Sequence, residues 1–152
     1  MNPIFKKLKY KDQKTVLVMN APDSFLENME EMKAFARVES NPKEVQEIEF
    51  ALVFAMKLKE VADSIASVGP KLKGDAILWY AYPKGTSKKY KGEFNRDNGW
   101  AAIGPYDMEP VMAIAIDEDW SAIRFRKVDY IKKITRDKSW VLSEKGKAKK
   151  SE

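Results

Sequence analysis

"TVLVMNAPDSFLENMEEMKAFA", Thr15 to Ala36, decides the fold. Thr15 to Pro22 is a continuous β-branched and aliphatic run closed by turn residues, the pattern of a strand covered on both faces. Parallel sheets produce such strands. Behind it Phe25, Met29, Met32 and Ala36 recur at helical spacing, and Ser24 to Glu27 has the S-x-x-E form of a capping box. The stretch therefore predicts a strand, a turn and a helix.

The rest of the chain repeats that alternation. Ala36 to Ser40 predicts a short second strand and Ile48 to Ala55 a third. Next, Leu58, Val61, Ala62, Ile65 and Leu72 share one helical face, with Gly69-Pro70 as the stop. Asp75 to Pro83, "DAILWYAYP", is the fourth strand and the most apolar. A loop follows, then a short helix capped by Asn95 and stopped by Gly104-Pro105; Gly99 inside it costs that helix about 1 kcal/mol. Pro110 to Ile116 and Ser121 to Ile131 read as a hairpin turned by the acidic "DEDW". Strands alternating with helices imply right-handed crossovers. The expected fold is α/β: a single Rossmann-like three-layer domain over residues 15–131, its mostly parallel sheet of about five or six strands ending in an antiparallel hairpin. A basic lead-in, residues 1–14, precedes it, and a basic, disordered tail, residues 132–152, follows.

Composition excludes more than it assigns. With no cysteine and no histidine among 152 residues, thiol nucleophiles, Ser-His and Cys-His catalysis, and zinc sites built from those ligands are absent. No apolar run approaches the roughly 20 residues of a membrane span, and "MNPIFKKLKYKDQK" lacks a signal-peptide centre, so a cytoplasmic protein is expected. The formal charge is +5, and its location matters. Residues 132–152 hold eight Lys or Arg against three Asp or Glu, while residues 1–131 hold 20 of each sign. Basicity therefore belongs to the tail, which either solubilises the protein or attracts nucleic acid weakly and salt-dependently.

Three constellations could carry chemistry. In "YPKGTSKKYK", Tyr82 to Lys91, the loop leaves the fourth strand at the carboxyl edge where open α/β sheets bind ligands. Gly85 would permit close approach, Thr86 and Ser87 offer hydroxyls, and Lys84 and Lys88 offer charge to an anion; the same composition also suits a solvated loop. It is not a Walker motif, because the G-x-x-x-x-G-K-[ST] spacing is missing. Asn95, Arg96 and Asp97 open the short helix, where Arg96 could grip a phosphate or carboxylate or simply pair with Asp97. Asp117 and Asp119, with Asp97, could hold Mg²⁺, or could form an acidic turn balanced by Arg124 and Arg126 across the hairpin. Ser87 and Lys88, being adjacent, do not make a nucleophile-base pair.

The segments "YPKGTSK", "NRD" and "AIDEDWSAIRFRKV", with the opening "MNAP", resemble those of a family of small bacterial proteins known as a domain of unknown function. The order of elements looks like a shortened methyltransferase-type Rossmann fold. That resemblance implies no activity, but the fold type raises S-adenosylmethionine binding. Such a site needs glycines after the first strand so that backbone can approach the ligand. This chain has "NAPDSF" there: Pro22 lacks a donor, Asp23 adds negative charge, and the Ser24/Glu27 box competes for the helix N-H groups. Glu39, ending the second strand, could bind a ribose hydroxyl or merely face solvent. The expectation is a non-catalytic module, without cofactor or metal, that binds an anionic small molecule or a partner protein at the carboxyl edge. The residues expected there are Lys84, Gly85, Thr86, Ser87, Lys88, Asn95, Arg96 and Arg124. A divergent methyltransferase-type transferase is the alternative, and nucleic-acid binding through the tail a third reading.

Overall fold

In a computed structural model, which describes residues 1–132 and 141–150, a six-stranded sheet runs through the whole domain. The chain order is α1 (Pro3–Lys7), β1 (Thr15–Met19), α2 (Leu26–Met32), β2 (Arg37–Glu39), β3 (Ile48–Phe54), α3 (Leu58–Val68), β4 (Leu72–Pro83), β5 (Met108–Ala115), β6 (Trp120–Lys127) and α4 (Glu144–Lys150). Across the sheet the order is β2-β1-β3-β4-β6-β5. The first four strands are parallel, and β6 pairs antiparallel with both β4 and β5. Registers such as Leu52 with Trp79 and Trp79 with Arg124 fix which side chains share a face.

Each central strand is apolar throughout because both faces are covered. Val16, Val18, Leu52, Phe54 and Trp79 pack with Phe5 and Leu8 of the α1 segment and with Phe25 and Met32. Leu17, Ala51, Val53, Leu78 and Tyr80 pack on the opposite side with Val61, Ile65 and Val68 of α3 and with Trp100 and Ile103. The three layers expected from the sequence are therefore present, with the two cores on either side of β1, β3 and β4.

Two local expectations, the capping box and the start of the short helix, are corrected, and the lead-in gains structure. Residues 1–14, expected as a basic lead-in, carry α1: Asn2 accepts the N–H groups of Ile4 and Phe5 at 3.0 and 3.1 Å, Pro3 opens the helix, and the Trp79 indole donates to the Leu8 carbonyl at 2.8 Å. No Ser24/Glu27 capping box forms, because Asp23–Phe25 coil as a 3₁₀ turn and the α-helix begins at Leu26 without a side-chain cap. The short helix expected from Asn95 starts later, as a 3₁₀ segment at Ala101–Tyr106. Asn95 and Asn98 instead close a turn, with each side chain accepting a nearby backbone N–H.

Residues 141–150 lie within the segment read as a disordered tail, and they are ordered against the sheet. Val141 is buried with Val128 and Ile131. Glu109, 1% exposed, accepts from Leu142 N–H at 2.8 Å, Ser143 N–H at 2.6 Å and the Ser143 hydroxyl at 2.7 Å. The remainder of that segment, residues 133–140 and 151–152, lies outside the described residues. Among the described residues, no helix is long and apolar enough to cross a membrane.

Candidate functional site

Strand order reverses between β1 and β3, and at such a switch point the carboxyl ends of the strands diverge into a crevice. Here the chain's own side chains use that crevice. Asn20 takes a left-handed conformation (φ 59°) directly after β1 and donates from its amide to the Phe54 carbonyl, 3.3 Å across the gap. The Glu60 carboxylate accepts from the Met56 and Lys57 N–H groups at 3.0 Å each, so two donors just ahead of α3 are taken by the chain itself. Asp23 adds another carboxylate in the turn after β1. Glu39, the residue with a ribose-binding option, is paired with Arg37 at 2.7 Å. The residues present at the switch point therefore match S-adenosylmethionine or a dinucleotide poorly: no glycine permits close approach, Pro22 lacks a donor, and the carboxylates of Asp23 and Glu60 stand where a ligand's negative groups would lie.

One strand further along there is an open pocket. At the carboxyl end of β4 a pocket of about 350 Å³ is lined on one side by Pro83, Lys84, Gly85 and Ser87 and on the other by Phe94, Asn95 and Asn98, with Lys91 and Glu93 between them. Two tethers shape its near wall. The Lys84 N–H donates to the Asp119 carbonyl at 2.8 Å, and the Ser87 hydroxyl donates to the Asp119 carboxylate at 2.8 Å while accepting the Tyr90 N–H at 3.1 Å. Asp119 is itself placed by Asp117, whose carboxylate accepts the N–H groups of Asp119 and Trp120 at 2.8 and 2.9 Å. Tyr90 then closes the loop by packing on Trp120, with ring centroids 5.0 Å apart. The far wall is anchored by Phe94 against Trp100 at 4.8 Å, and by the Trp100 indole donating to the Asn95 and Arg96 carbonyls.

Of the residues expected to bind ligand, the structure brings together Lys84, Gly85, Ser87 and Asn95. Ser87 is present as a tether, its proton committed to Asp119. Thr86 and Lys88 are exposed and outside the lining, and Arg96 is exposed beside Asp97 at 3.7 Å. Arg124 is not part of the group: it faces Trp79, roughly 16 Å along β4 from Lys84 at the usual strand rise. Asp117 and Asp119 are employed in the turn rather than balanced by Arg124 and Arg126, and Arg126 pairs with Asp75 instead. Among the described residues, no cluster of three acidic side chains has metal-binding geometry. Sequence reasoning missed Phe94 and Asn98. The doubled Asn in "NRDN", with side chains that mimic turns, was the available signal.

No family model and no curated protein matches the chain by sequence. The fold has solved counterparts. The pyocyanin biosynthetic protein PhzM superposes with a TM-score of 0.52 at 7% identity, over 84% of this chain and 54% of that one. The N-methyltransferase NodS from Bradyrhizobium japonicum WM9, in complex with S-adenosyl-L-homocysteine, superposes with a TM-score of 0.50 at 10% identity, over 84% of this chain and 89% of that one. At such identities the likeness concerns architecture alone, and the architecture of this chain is a methyltransferase-like Rossmann fold, with a mixed six-stranded sheet closed by an antiparallel hairpin.

Proposed function

We propose that this protein binds an anionic small molecule in the pocket at the carboxyl end of β4. One observation carries the reading: a pocket of about 350 Å³ at the carboxyl end of β4 is lined by Lys84, Gly85, Lys91, Asn95 and Asn98, while the switch point lacks glycine and is crossed by the Asn20 and Glu60 side-chain bonds. Two ammonium groups favour an anion, Gly85 bears no side chain in the way of its backbone, and the Asn amides can donate to ligand oxygens. Glu93 in the same lining suits a ligand that also carries a hydroxyl or an amine.

A second reading is favoured by a different observation. Sheet order and closing hairpin are those of a methyltransferase-like fold, and NodS holds a demethylated cofactor on such a frame. A divergent transferase of that type is the corresponding proposal. It requires a cofactor seat other than the one that "NAPDSF" and Glu60 disfavour, and the β4 pocket is a candidate for it. Thermal-shift measurement separates the two readings. At tenfold excess over its dissociation constant a ligand adds about 1.4 kcal/mol, or roughly 3–6 °C for a chain of this size. Inorganic phosphate or a nucleotide should shift the parent and leave a Lys84→Ala/Lys91→Ala variant unmoved. A shift with S-adenosylmethionine, lost in the same variant, would favour the transferase. Equal shifts in parent and variant would remove the pocket from both readings.

A further inference from the structure

Arg124 stands half-buried at the centre of β6 with no acceptor among the described residues. Side chains alternate along that strand, so Ala122, Arg124 and Arg126 lie on the α1 side of the sheet while Ile123 and Phe125 enter the other core. Arg124 sits between Trp79 of β4 and Met112 of β5. Its Nε is sealed from solvent and makes no hydrogen bond. Asp75, the carboxylate whose charge favours it, is already taken: Arg126 donates from Nε to one oxygen at 2.9 Å and from Nη2 to the other at 2.6 Å. Burial, and then the charge of Arg126, weaken the hold of Arg124 on its proton. Its Nη nitrogens are not sealed and make no hydrogen bond to the described residues, so the charge of this half-buried guanidinium is left without a partner, which is destabilising unless something pairs with it. Packing alone would be better served by an aliphatic side chain.

The surroundings of Arg124 have the character of a binding surface. Met112 and Ile114 of the edge strand β5 are half-buried on the same side. Arg126 adds a second guanidinium, and Lys7 reaches from α1 to the Ala115 carbonyl at 2.7 Å, which places a third cation at the far end of β5. We propose that Arg124 anchors an oxyanion-binding site on the α1 side of the β5–β6 hairpin. Its outer Nη nitrogens take a carboxylate or phosphate group, and the apolar part of the ligand rests on Met112 and Ile114. Burial of Nε holds the guanidinium plane fixed, so the fork is presented with little loss of side-chain freedom. The site is separate from the β4 pocket and stands or falls independently of it.

The test follows the Nε–H of Arg124 by nitrogen-15 NMR, since a sheltered donor exchanges slowly enough to observe. Inorganic phosphate, phenyl phosphate and benzoate are titrated separately at constant ionic strength. The expected result is a saturable shift of that resonance and of the Met112 amide, with benzoate or phenyl phosphate the tightest probe. Arg124→Lys, which cannot present a fork, should bind at least tenfold more weakly. In Arg124→Met the saturable shift at Met112 should vanish without a fall in melting temperature. Lys84→Ala/Lys91→Ala should leave all of these shifts unchanged. Saturation by phosphates alone identifies a phosphate ligand, and by benzoate alone a carboxylate. If no probe saturates, or Arg124→Met retains the Met112 shift, the site does not exist. If Arg124→Met unfolds the protein, arginine has a structural reason to be there and the argument fails.

Discussion

Residue type predicts chemistry poorly until its partners are known, and the buried Tyr80 shows why. Its hydroxyl lies 2.6 Å from Ser64 Oγ, and Ser64 in turn donates to the Val61 carbonyl at 3.0 Å, so the proton order must be Tyr80 to Ser64 to Val61. Burial pushes the Tyr80 hydroxyl far above its ordinary value. In the unfolded chain it ionises near pH 10. The unfolded state therefore releases its proton first, and stability falls as pH rises above about 10. Tyr80→Phe should cost about 1 kcal/mol at neutral pH, because Ser64 keeps its own acceptor. The same variant should flatten the alkaline decline, which urea denaturation at pH 8 and pH 11 would measure. An equally steep decline in both proteins would assign it to other groups. Asp75 makes the opposite case. The hydrogen bonds from Arg126, ahead of Arg126's charge, hold its carboxyl below the usual range. That contribution is complete above about pH 4 and is lost as pH falls through the lowered value. With both side chains about a third exposed, 35% and 33%, Asp75→Asn should cost under about 1 kcal/mol at pH 7 and nothing measurable near pH 2.

At the scale of elements, α4 cannot stand alone. Seven residues of "EKGKAKK" are far below the length at which an isolated helix persists. What holds it is Glu109, whose carboxylate takes three donors from Leu142 and Ser143, while Ser143 Oγ caps Gly146 N–H at 2.8 Å. Gly146 is required by closeness: a Cβ there would come within 2.5 Å of the Glu109 carboxylate. Glu109→Ala should destabilise by about 1–2 kcal/mol and speed hydrogen exchange at Gly146 and Lys147, whose amides bond to Ser143. Unchanged exchange would mean that the helix is held otherwise. None of this was legible in the sequence, because Glu109 meets its partners 33 and 34 residues away and nothing in "DMEP" marks it. The same reason hid α1, whose five residues are too few to show a period. By contrast β1, β3 and β4 were readable, since strands covered on both faces carry their burial as unbroken apolar runs. The Ser24/Glu27 signal misled because a 3₁₀ turn placed the helix start two residues beyond the cap.

Over the whole molecule, the parallel sheet sets two ends with different work. The β4 pocket lies at the carboxyl end. Its first wall was legible from the sheet-edge rule and the loop composition, and its second was not, because Gly92 to Asn98 has no periodicity to place it. At the opposite end β6 finishes beside the start of β4, with Lys127 donating to the Leu72 carbonyl at 2.8 Å, and the C-terminal segment docks there. Lys145 pairs with Asp129 at 2.7 Å, and Lys149 reaches the Val128 carbonyl at 3.0 Å. The basic surplus of the chain is thus partly fastened to the amino end, away from the pocket. Deleting residues 141–152 should therefore lower stability by about 1–2 kcal/mol, or roughly 2–8 °C, through loss of Val141 burial and of the Glu109 bonds. The loss should be no smaller than that of Glu109→Ala in the full chain, because a segment that has lost its anchor can undock and reach the same state. With its cover gone, Glu109 opens to water and no longer has partners to hold. For the same reason, adding Glu109→Ala to the truncated chain should cost little more, a departure from additivity that marks one shared interaction. Ligand shifts at the β4 pocket should survive the truncation, whereas any salt-sensitive retention on DNA should disappear with the lysines. Additive losses would break the link between Glu109 and the C-terminal segment, and loss of the pocket's ligand shift would show that the two ends of the sheet are coupled.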